Sequence, residues 1–129
     1  MFFFHLHSGL RYLYLLAAVA TIGYAVYGLA ARRPYDAVVR KLFVAMMLLL
    51  DATAFMGVAT AFGRRYLSPG LGGHVASMIF AVVVVHVVSA VMRRRPPARR
   101  GYAPYLVAAV VALTLVWVGV ASLGASLVG

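Results

Sequence analysis

Cysteine is absent from this sequence, and acidic residues are nearly absent. The 129 residues contain no Cys and only two carboxylates, Asp36 and Asp51. Without thiols the chain has no disulfides, zinc–thiolate sites, iron–sulfur clusters or cysteine nucleophiles. Two carboxylates leave no room for the acidic pair of a glycosidase. Charged residues make up 11% of the chain, against about 25% in an ordinary soluble domain, which excludes a soluble globular protein and a disordered one.

Short catalytic motifs are also missing. The sequence contains no G-x-x-x-x-G-K-[ST], no G-x-G-x-x-G, no H-E-x-x-H and no G-x-S-x-G. These patterns are typical of nucleotide-binding proteins, zinc proteases and serine hydrolases. We therefore predict no catalytic residue, and a protein that is not an enzyme of these classes.

Apolar residues, by contrast, make up 65% of the chain. Four stretches each approach the ~20 residues that a helix needs to cross a ~30 Å hydrocarbon layer, and backbone in lipid must be helical. They cover about residues 10–31, 42–62, 75–92 and 105–128. The connections are short, so we predict an all-α fold in which residues 1–129 form a single transmembrane domain, an up-down-up-down four-helix bundle. Tyr35, Tyr102 and Tyr105 lie near the ends of the stretches, where aromatic side chains anchor helices at the headgroup level.

The first stretch could instead be a cleaved signal peptide. A signal peptide has a basic start and an apolar run of about 7–15 residues. Here the run is longer, and no Lys or Arg precedes Leu10. We therefore interpret the first stretch as a retained helix.

Basic residues divide unequally between the two ends of the stretches. Nine of the twelve Lys and Arg lie in the loops at residues 32–41 and 93–100, and the other three are Arg11, Arg64 and Arg65. The positive-inside rule makes the nine-charge side cytoplasmic, which puts both termini on the outer, periplasmic side of a bacterial inner membrane. We therefore interpret the net charge of +10 as a topological signal, and expect the lipid bilayer, not a nucleic acid, as a partner.

Two ionisable residues interrupt the apolar stretches at matching depth. Asp51 and His86 are each 17.5 residues from the point between Ser68 and Pro69, the middle of the intervening loop. Because a carboxylate at bilayer depth costs about 2.5–3.5 kcal/mol, it needs a partner. We predict that Asp51 and His86 face one another, either as a structural contact that fixes helix register or as part of a proton or solute path.

Two other histidines lie at the predicted outer surface. His7 precedes the first stretch and His74 precedes the third, and these two helices are diagonal neighbours in an up-down-up-down bundle. A diagonal His pair at equal depth suits a single b-type haem with two imidazole ligands to its iron. Arg11, one turn after His7, would then offset propionate charge. The alternative is that each histidine hydrogen-bonds headgroups or loop backbone.

Three segments resemble a known group of proteins: HLHSGLRYL at the start, DATAFMG in the second stretch, and the His74 region. Over residues 5–95 the chain is similar to small four-helix bacterial membrane proteins described as b-type-cytochrome-like. The resemblance implies the four-helix fold and matches His7 and His74. In that family a histidine often precedes a second-stretch glycine by six residues, whereas here Asp51 precedes Gly57 by six.

The leading functional prediction is a non-catalytic subunit that packs in or stabilises a larger bacterial energy-transducing membrane complex, respiratory or photosynthetic. Its expected partners are other membrane subunits or further copies of itself. The first alternative is an electron carrier with one haem b held by His7 and His74. The second is a small proton or solute transporter that uses Asp51 and His86.

Overall fold

The computed structural model describes residues 2–64 and 71–121, with side chains at 9–58, 73–96 and 98–121. This part of the chain forms four long helices and no strand. The helices are α1 (Phe2–Ala30), α2 (Ala37–Arg64), α3 (Leu71–Arg94) and α4 (Ala103–Ala121), with one 3₁₀ turn at Pro97–Arg99. Each long helix contains a segment long and apolar enough to cross a bilayer: Gly9–Ala30, Ala37–Val58, Gly73–Arg94 and Ala103–Ala121. In the part of the chain that the structure describes, the four helices thus have the length and composition of a multi-pass membrane protein.

Helix α2 extends beyond the predicted stretch at its start, where a polar residue caps it. Helix α2 begins at Ala37, ahead of the apolar run that starts at residue 42. The Asp36 carboxylate accepts a hydrogen bond from the backbone N–H of Val38 at 3.0 Å, which is the arrangement of a helix N-cap. The predicted end of the fourth stretch, at residues 122–128, lies outside the described residues.

The four helices pack against one another unequally. Helix α1 packs closely along α2, α3 packs closely along α4, and α1 joins the two pairs by packing on α4. Helices α2 and α3 approach each other over a much shorter length, and in the described part of the chain α1 and α3 do not pack together. The bundle is therefore tightly closed along three interfaces and loosely closed along the fourth, which we call the α2–α3 seam.

Close helix approach depends on small side chains in the core. Without a hydrophobic driving force in lipid, helices associate through van der Waals contact, which small residues permit at short range. Several alanines are fully or almost fully buried: Ala18, Ala25, Ala81, Ala108, Ala109 and Ala112. Large apolar side chains such as Leu16, Phe55 and Phe80 point outward instead. The core also holds large side chains such as Phe43, Met46 and Leu50, so the buried alanines allow close approach at particular positions while the outward-facing apolar side chains suit contact with lipid.

Aromatic rings join α1, α2 and α4 at the end where the first loop lies. This tyrosine cluster consists of Tyr24, Tyr35, Tyr102, Tyr105 and Phe43, with neighbouring ring centroids 5.1–6.4 Å apart. Such spacing is favourable for aromatic pairs. Tyr102 and Tyr105 are only 3% and 2% exposed, so the prediction that they anchor in the headgroup layer is wrong. Their rings serve the contact between helices, which their sequence position near a helix end does not reveal.

One glycine lets the tyrosine cluster form. A Cβ atom at Gly28 would lie 2.7 Å from the ring of Tyr102, which is closer than van der Waals contact allows. The ring cannot easily move aside, because it is buried and its hydroxyl donates a hydrogen bond of 2.8 Å to the carbonyl oxygen of Pro34. Gly28 is therefore required for α4 to begin against the end of α1.

We expect Gly28→Ala to destabilise the bundle by about 1–3 kcal/mol, the usual cost of overpacking a core. The matched control is Gly23→Ala on the same helix, where an added Cβ meets nothing within 4 Å and no loss is expected. Thermal unfolding of both variants in detergent measures the difference. Equal stability of the two variants would contradict this account of the cluster.

Candidate functional site

The structure brings Asp51 and His86 into direct contact across the α2–α3 seam. His86 Nε2 lies 2.8 Å from Oδ2 of Asp51 and 3.0 Å from Oδ1. Because a carboxylate offers only acceptors, Nε2 carries the hydrogen and donates to both oxygens. Both distances are within the range of well-formed side-chain hydrogen bonds.

This pair is not sealed inside the bundle. The Asp51 side chain is 33% exposed and the His86 side chain is 48% exposed. Phe55, one turn along α2 from Asp51, is 67% exposed, and Val83, one turn before His86, is 49% exposed. Residues one turn apart share a helix face, so the pair and these apolar neighbours form one outward-facing surface on the α2–α3 seam.

His74 makes a second polar contact, between the start of α3 and the end of α4. Its Nδ1 atom lies 3.0 Å from the carbonyl oxygen of Gly119. The carbonyl accepts, so Nδ1 carries the hydrogen and the lone pair of Nε2 remains on the other side of the ring. Histidines that bind metals usually have this arrangement, with one nitrogen held by a carbonyl and the other at the metal.

The helices are very close where His74 binds. A Cβ atom added to Gly119 would lie 3.1 Å from Cβ of Ser77 and 3.4 Å from the backbone oxygen of His74. The absence of a side chain at Gly119 is what exposes its carbonyl oxygen to the histidine. The position of the His74 ring is therefore fixed by backbone rather than by a flexible partner.

Of the other two predicted haem residues, the structure describes the side chain of Arg11 but not that of His7. His7 lies within α1, but its side chain lies outside the described side chains, so the His7–His74 pairing stays a prediction. Arg11 is described: its Nη2 donates to the Tyr12 hydroxyl at 3.3 Å, and its guanidinium lies 5.0 Å from the Tyr12 ring centre. Among the described residues no three His, Asp or Glu side chains come together as a metal site.

The structure also shows a polar contact between helices at Asp36, which we call the Asp36 joint and which the sequence does not predict. The Tyr24 hydroxyl donates to Asp36 Oδ2 at 2.6 Å, and Arg33 Nη2 lies 3.7 Å from the same oxygen. With the N–H of Val38 on Oδ1, this carboxylate links α1, the first loop and α2. The sequence shows a helix-capping aspartate before Ala37, but nothing in it identifies Tyr24, twelve residues earlier, as its partner.

These donors favour the ionised carboxylate. The Tyr24 hydroxyl chiefly, then the Val38 N–H and the Arg33 charge, hold the pKa of Asp36 below its ordinary value, against partial desolvation that raises it. The joint is therefore intact at neutral pH and is weakened only when Asp36 takes up a proton.

Comparisons of this chain with known protein families, with curated proteins and with solved structures find no match. The resemblance to b-type-cytochrome-like proteins accordingly stays a prediction, and a functional assignment depends on the geometry described above.

We expect the protein to lose stability in acid because of Asp36. Its pKa is lower in the folded state than the unfolded value of about 3.9, so its stabilising contribution is complete above that value and is lost as the pH falls through the folded-state pKa. Thermal unfolding in detergent, followed from pH 7 to below pH 4, measures this loss. In Asp36→Asn, which cannot ionise, the decrease should be smaller.

The substitution leaves Asp51 in place, so the comparison between the two proteins isolates Asp36. Tyr24→Phe is a second test, since it removes the principal donor to the carboxylate and should shift the loss of stability to higher pH. The assignment would be wrong if the wild type, Asp36→Asn and Tyr24→Phe all changed in parallel with pH.

Proposed function

We propose that this chain is a non-catalytic subunit of a larger membrane assembly, and that it meets its partner at the α2–α3 seam. The supporting observation is the Asp51–His86 pair, whose side chains are one-third and one-half exposed on that seam. In the described part of the chain, α2 and α3 pack together over a much shorter length than α1 with α2 or α3 with α4. The polar pair thus lies where the bundle itself provides least cover.

Contact between the Asp51–His86 pair and lipid would be costly because the pair lies deep along its helices. Asp51 lies thirteen residues before Arg64, the end of α2, and His86 lies fifteen residues after Leu71, the start of α3. At 1.5 Å per residue these separations correspond to roughly 20 Å along each helix. Polar groups at such depth that contact lipid are costly, and they normally face a protein interior or an aqueous cavity. A helix from another subunit covering the seam would remove this cost.

Apolar surface beside the pair would contribute to the same contact. Phe55 and Val83 flank it in the outward direction, and aromatic side chains are common at the centre of protein interfaces. A partner helix that packs on these residues and offers a hydrogen-bonding side chain to the pair would bury both kinds of surface. Such a combination of close packing with a few polar contacts is typical of helix association in lipid.

We also propose an orientation of the bundle in the membrane. We place the loops at residues 32–41 and 93–100, with nine of the twelve basic residues, on the cytoplasmic side of a bacterial inner membrane. The bundle then runs up-down-up-down with both termini outside. That the assembly is energy-transducing, respiratory or photosynthetic, stays a prediction, as does transport through Asp51 and His86.

A photo-crosslinking residue placed at Phe55 tests this proposal in the membranes of the source cell. Phe55 lies on the seam, and Leu16 on α1 provides the matched control because both side chains are 67% exposed. We expect position 55 to crosslink to a defined protein, either another subunit or a second copy, and position 16 to crosslink to lipid. Lipid crosslinks alone from both positions would contradict the proposal.

The polar pair itself can be tested in the same experiment. Because the partner is expected to hydrogen-bond the pair, Asp51→Asn should reduce the protein crosslinked from position 55 and leave the lipid crosslinks from position 16 unchanged. The thermal stability of Asp51→Asn, measured in parallel, distinguishes a weaker interface from an unfolded chain.

A one-haem electron carrier is the second candidate, and the His74 ring favours it. Its Nδ1 is bound to the Gly119 carbonyl, which leaves Nε2 as the nitrogen that would bind iron. His7 would be the second axial ligand and Arg11 the residue near a propionate. In this role the residues would hold and orient the haem, and the haem would supply the electron transfer.

An absorption spectrum tests the haem candidate. A haem protein should show a sharp absorption band on reduction that disappears in His74→Ala. The band should persist in His86→Ala, the control, because His86 contacts Asp51 in the wild type. A purified protein that stays colourless after expression with ample haem would exclude the haem candidate, and it would leave the subunit proposal unaffected.

A further inference from the structure

The outward-facing residues of the α2–α3 seam form two stripes, one on each helix. The α2 stripe is Asp51, Phe55 and Val58, and the α3 stripe is Ile79, Val83 and His86. Each stripe has the spacing i, i+4, i+7, which places its three side chains on one face of the helix. The four apolar members are 49–67% exposed, so both stripes offer surface to a neighbouring protein.

The Asp51–His86 contact fixes the register between the two stripes. His86 Nε2 lies 2.8 Å from Asp51 Oδ2, so these two residues lie at one level. In the proposed up-down-up-down orientation, α2 and α3 run in opposite directions. The second members of the stripes are four residues after Asp51 and three residues before His86, and the third members are seven residues away on each helix. Each level of the α2 stripe therefore has a counterpart on the α3 stripe.

A second copy of this chain would present the same two stripes at the same depths. Two copies with the same orientation are related by a twofold axis along the membrane normal, and across such an axis each contact occurs twice. The α2 stripe of one copy can then face the α3 stripe of the other at all three levels. Phe55 would pack on the second copy's Val83, and Val58 would pack on the second copy's Ile79.

The polar level of the two stripes is also self-complementary. His86 Nε2 is bound to Asp51, whereas Nδ1 of the same ring has no hydrogen-bond partner in the described part of the chain. A protonated imidazole donates through both nitrogens, and a carboxylate accepts at about four lone-pair sites. The protonated ring thus has one donor left and Asp51 has acceptors left, on side chains that are 48% and 33% exposed.

We propose that the partner at the α2–α3 seam is a second copy of this chain, with Nδ1 of each His86 donating to the Asp51 carboxylate of the other copy. This step rests on the proposed function, which brings a partner to the seam. The two protonated rings and two carboxylates together carry no net charge, which suits their depth in the membrane. Contact between two α2 stripes would instead place carboxylate against carboxylate, so α2 faces α3.

Disulfide crosslinking of the purified full chain in liposomes tests for the second copy, since the chain has no cysteine of its own. Val58→Cys and Ile79→Cys are made in separate chains that carry tags of different mass. The two chains are mixed in detergent, reconstituted at a low ratio of protein to lipid, and oxidised. We expect a mixed disulfide dimer, because each introduced thiol lies at the level of the other across the twofold axis.

The matched control replaces Val58→Cys by Trp117→Cys on α4. Trp117 is 55% exposed and Val58 is 56% exposed. Their depths also correspond, because a Cβ atom at Gly119 would lie 3.1 Å from Cβ of Ser77. Trp117 is two residues before Gly119, and Ile79 is two residues after Ser77, so Trp117 and Ile79 share a level where α3 and α4 run in opposite directions. We expect no mixed dimer between Trp117→Cys and Ile79→Cys.

The polar network has its own variant. Asp51→Asn in both chains should weaken association by about tenfold, because it alters two symmetry-related hydrogen bonds between the copies. Asp36→Asn also removes one carboxylate, but at the Tyr24 contact away from the seam, and should leave the dimer unchanged. The yield of mixed dimer over a series of protein-to-lipid ratios measures both effects. If Asp51→Asn does not fold, the comparison of Val58→Cys with Trp117→Cys carries the test alone.

Equal yields from the Val58→Cys and Trp117→Cys mixtures would overturn the proposal in favour of random collision. A folded Asp51→Asn that associates like the wild type would overturn the shared polar network. If the purified chain forms no mixed dimer while position 55 crosslinks to a different protein in the source membranes, the second copy is excluded and the proposed function stands. If neither experiment finds a protein at the seam, both proposals fail.

Discussion

The bilayer core contains no water to hydrogen-bond a polar group, and this constraint determines where every polar side chain of the bundle can lie. A chain with only two carboxylates has few means of compensating a buried cation or a buried imidazole. Both carboxylates are used at points where separate helices meet: Asp36 joins the end of α1 to the start of α2, and Asp51 joins α2 to α3. The remaining helix contacts combine a few hydrogen bonds, such as that of His74 with the Gly119 carbonyl oxygen, with buried alanines and glycines that allow close approach.

The contacts at Asp36 and at Asp51 differ in their surroundings. This difference is why we interpret the first as structural and propose a functional role for the second. Around Asp36 the tyrosine cluster packs three helices tightly, with Tyr102 fitted against Gly28. Around Asp51 the helices stand apart and the neighbouring side chains face outward. A hydrogen bond inside a packed cluster mainly fixes geometry. A polar pair on a loosely closed interface keeps hydrogen-bonding capacity that a further protein can use, and for this reason we propose the docking surface at Asp51 and His86.

Much of this arrangement can be predicted from the sequence, because membrane helices are defined by composition and length. The four apolar stretches predict four helices, and equal distances from the loop at Ser68 and Pro69 predict that Asp51 and His86 meet. What cannot be predicted depends on contacts between distant residues. Tyr102 and Tyr105 have the sequence context of interfacial anchors, yet they are buried, since a ring near a helix end can turn toward lipid headgroups or toward a neighbouring helix. The partner of Asp36, Tyr24, and the carbonyl of Gly119 beside His74 become visible only when the helices are packed.

The same constraint applies to Arg11, a positively charged residue within the first span. A span arginine without a carboxylate in its own chain is stable only if the surroundings supply negative charge, and phosphate headgroups are the anions that a bilayer always contains. The shortage of acidic residues therefore leaves this protein to find compensating groups in its environment. Near the surface, lipid phosphate is available to a basic side chain such as Arg11, whereas the Asp51–His86 pair lies deeper, where we propose that a covering helix meets it. Any membrane with anionic lipid supplies the first, but only a particular protein would supply the second, and this is where we propose that functional specificity lies.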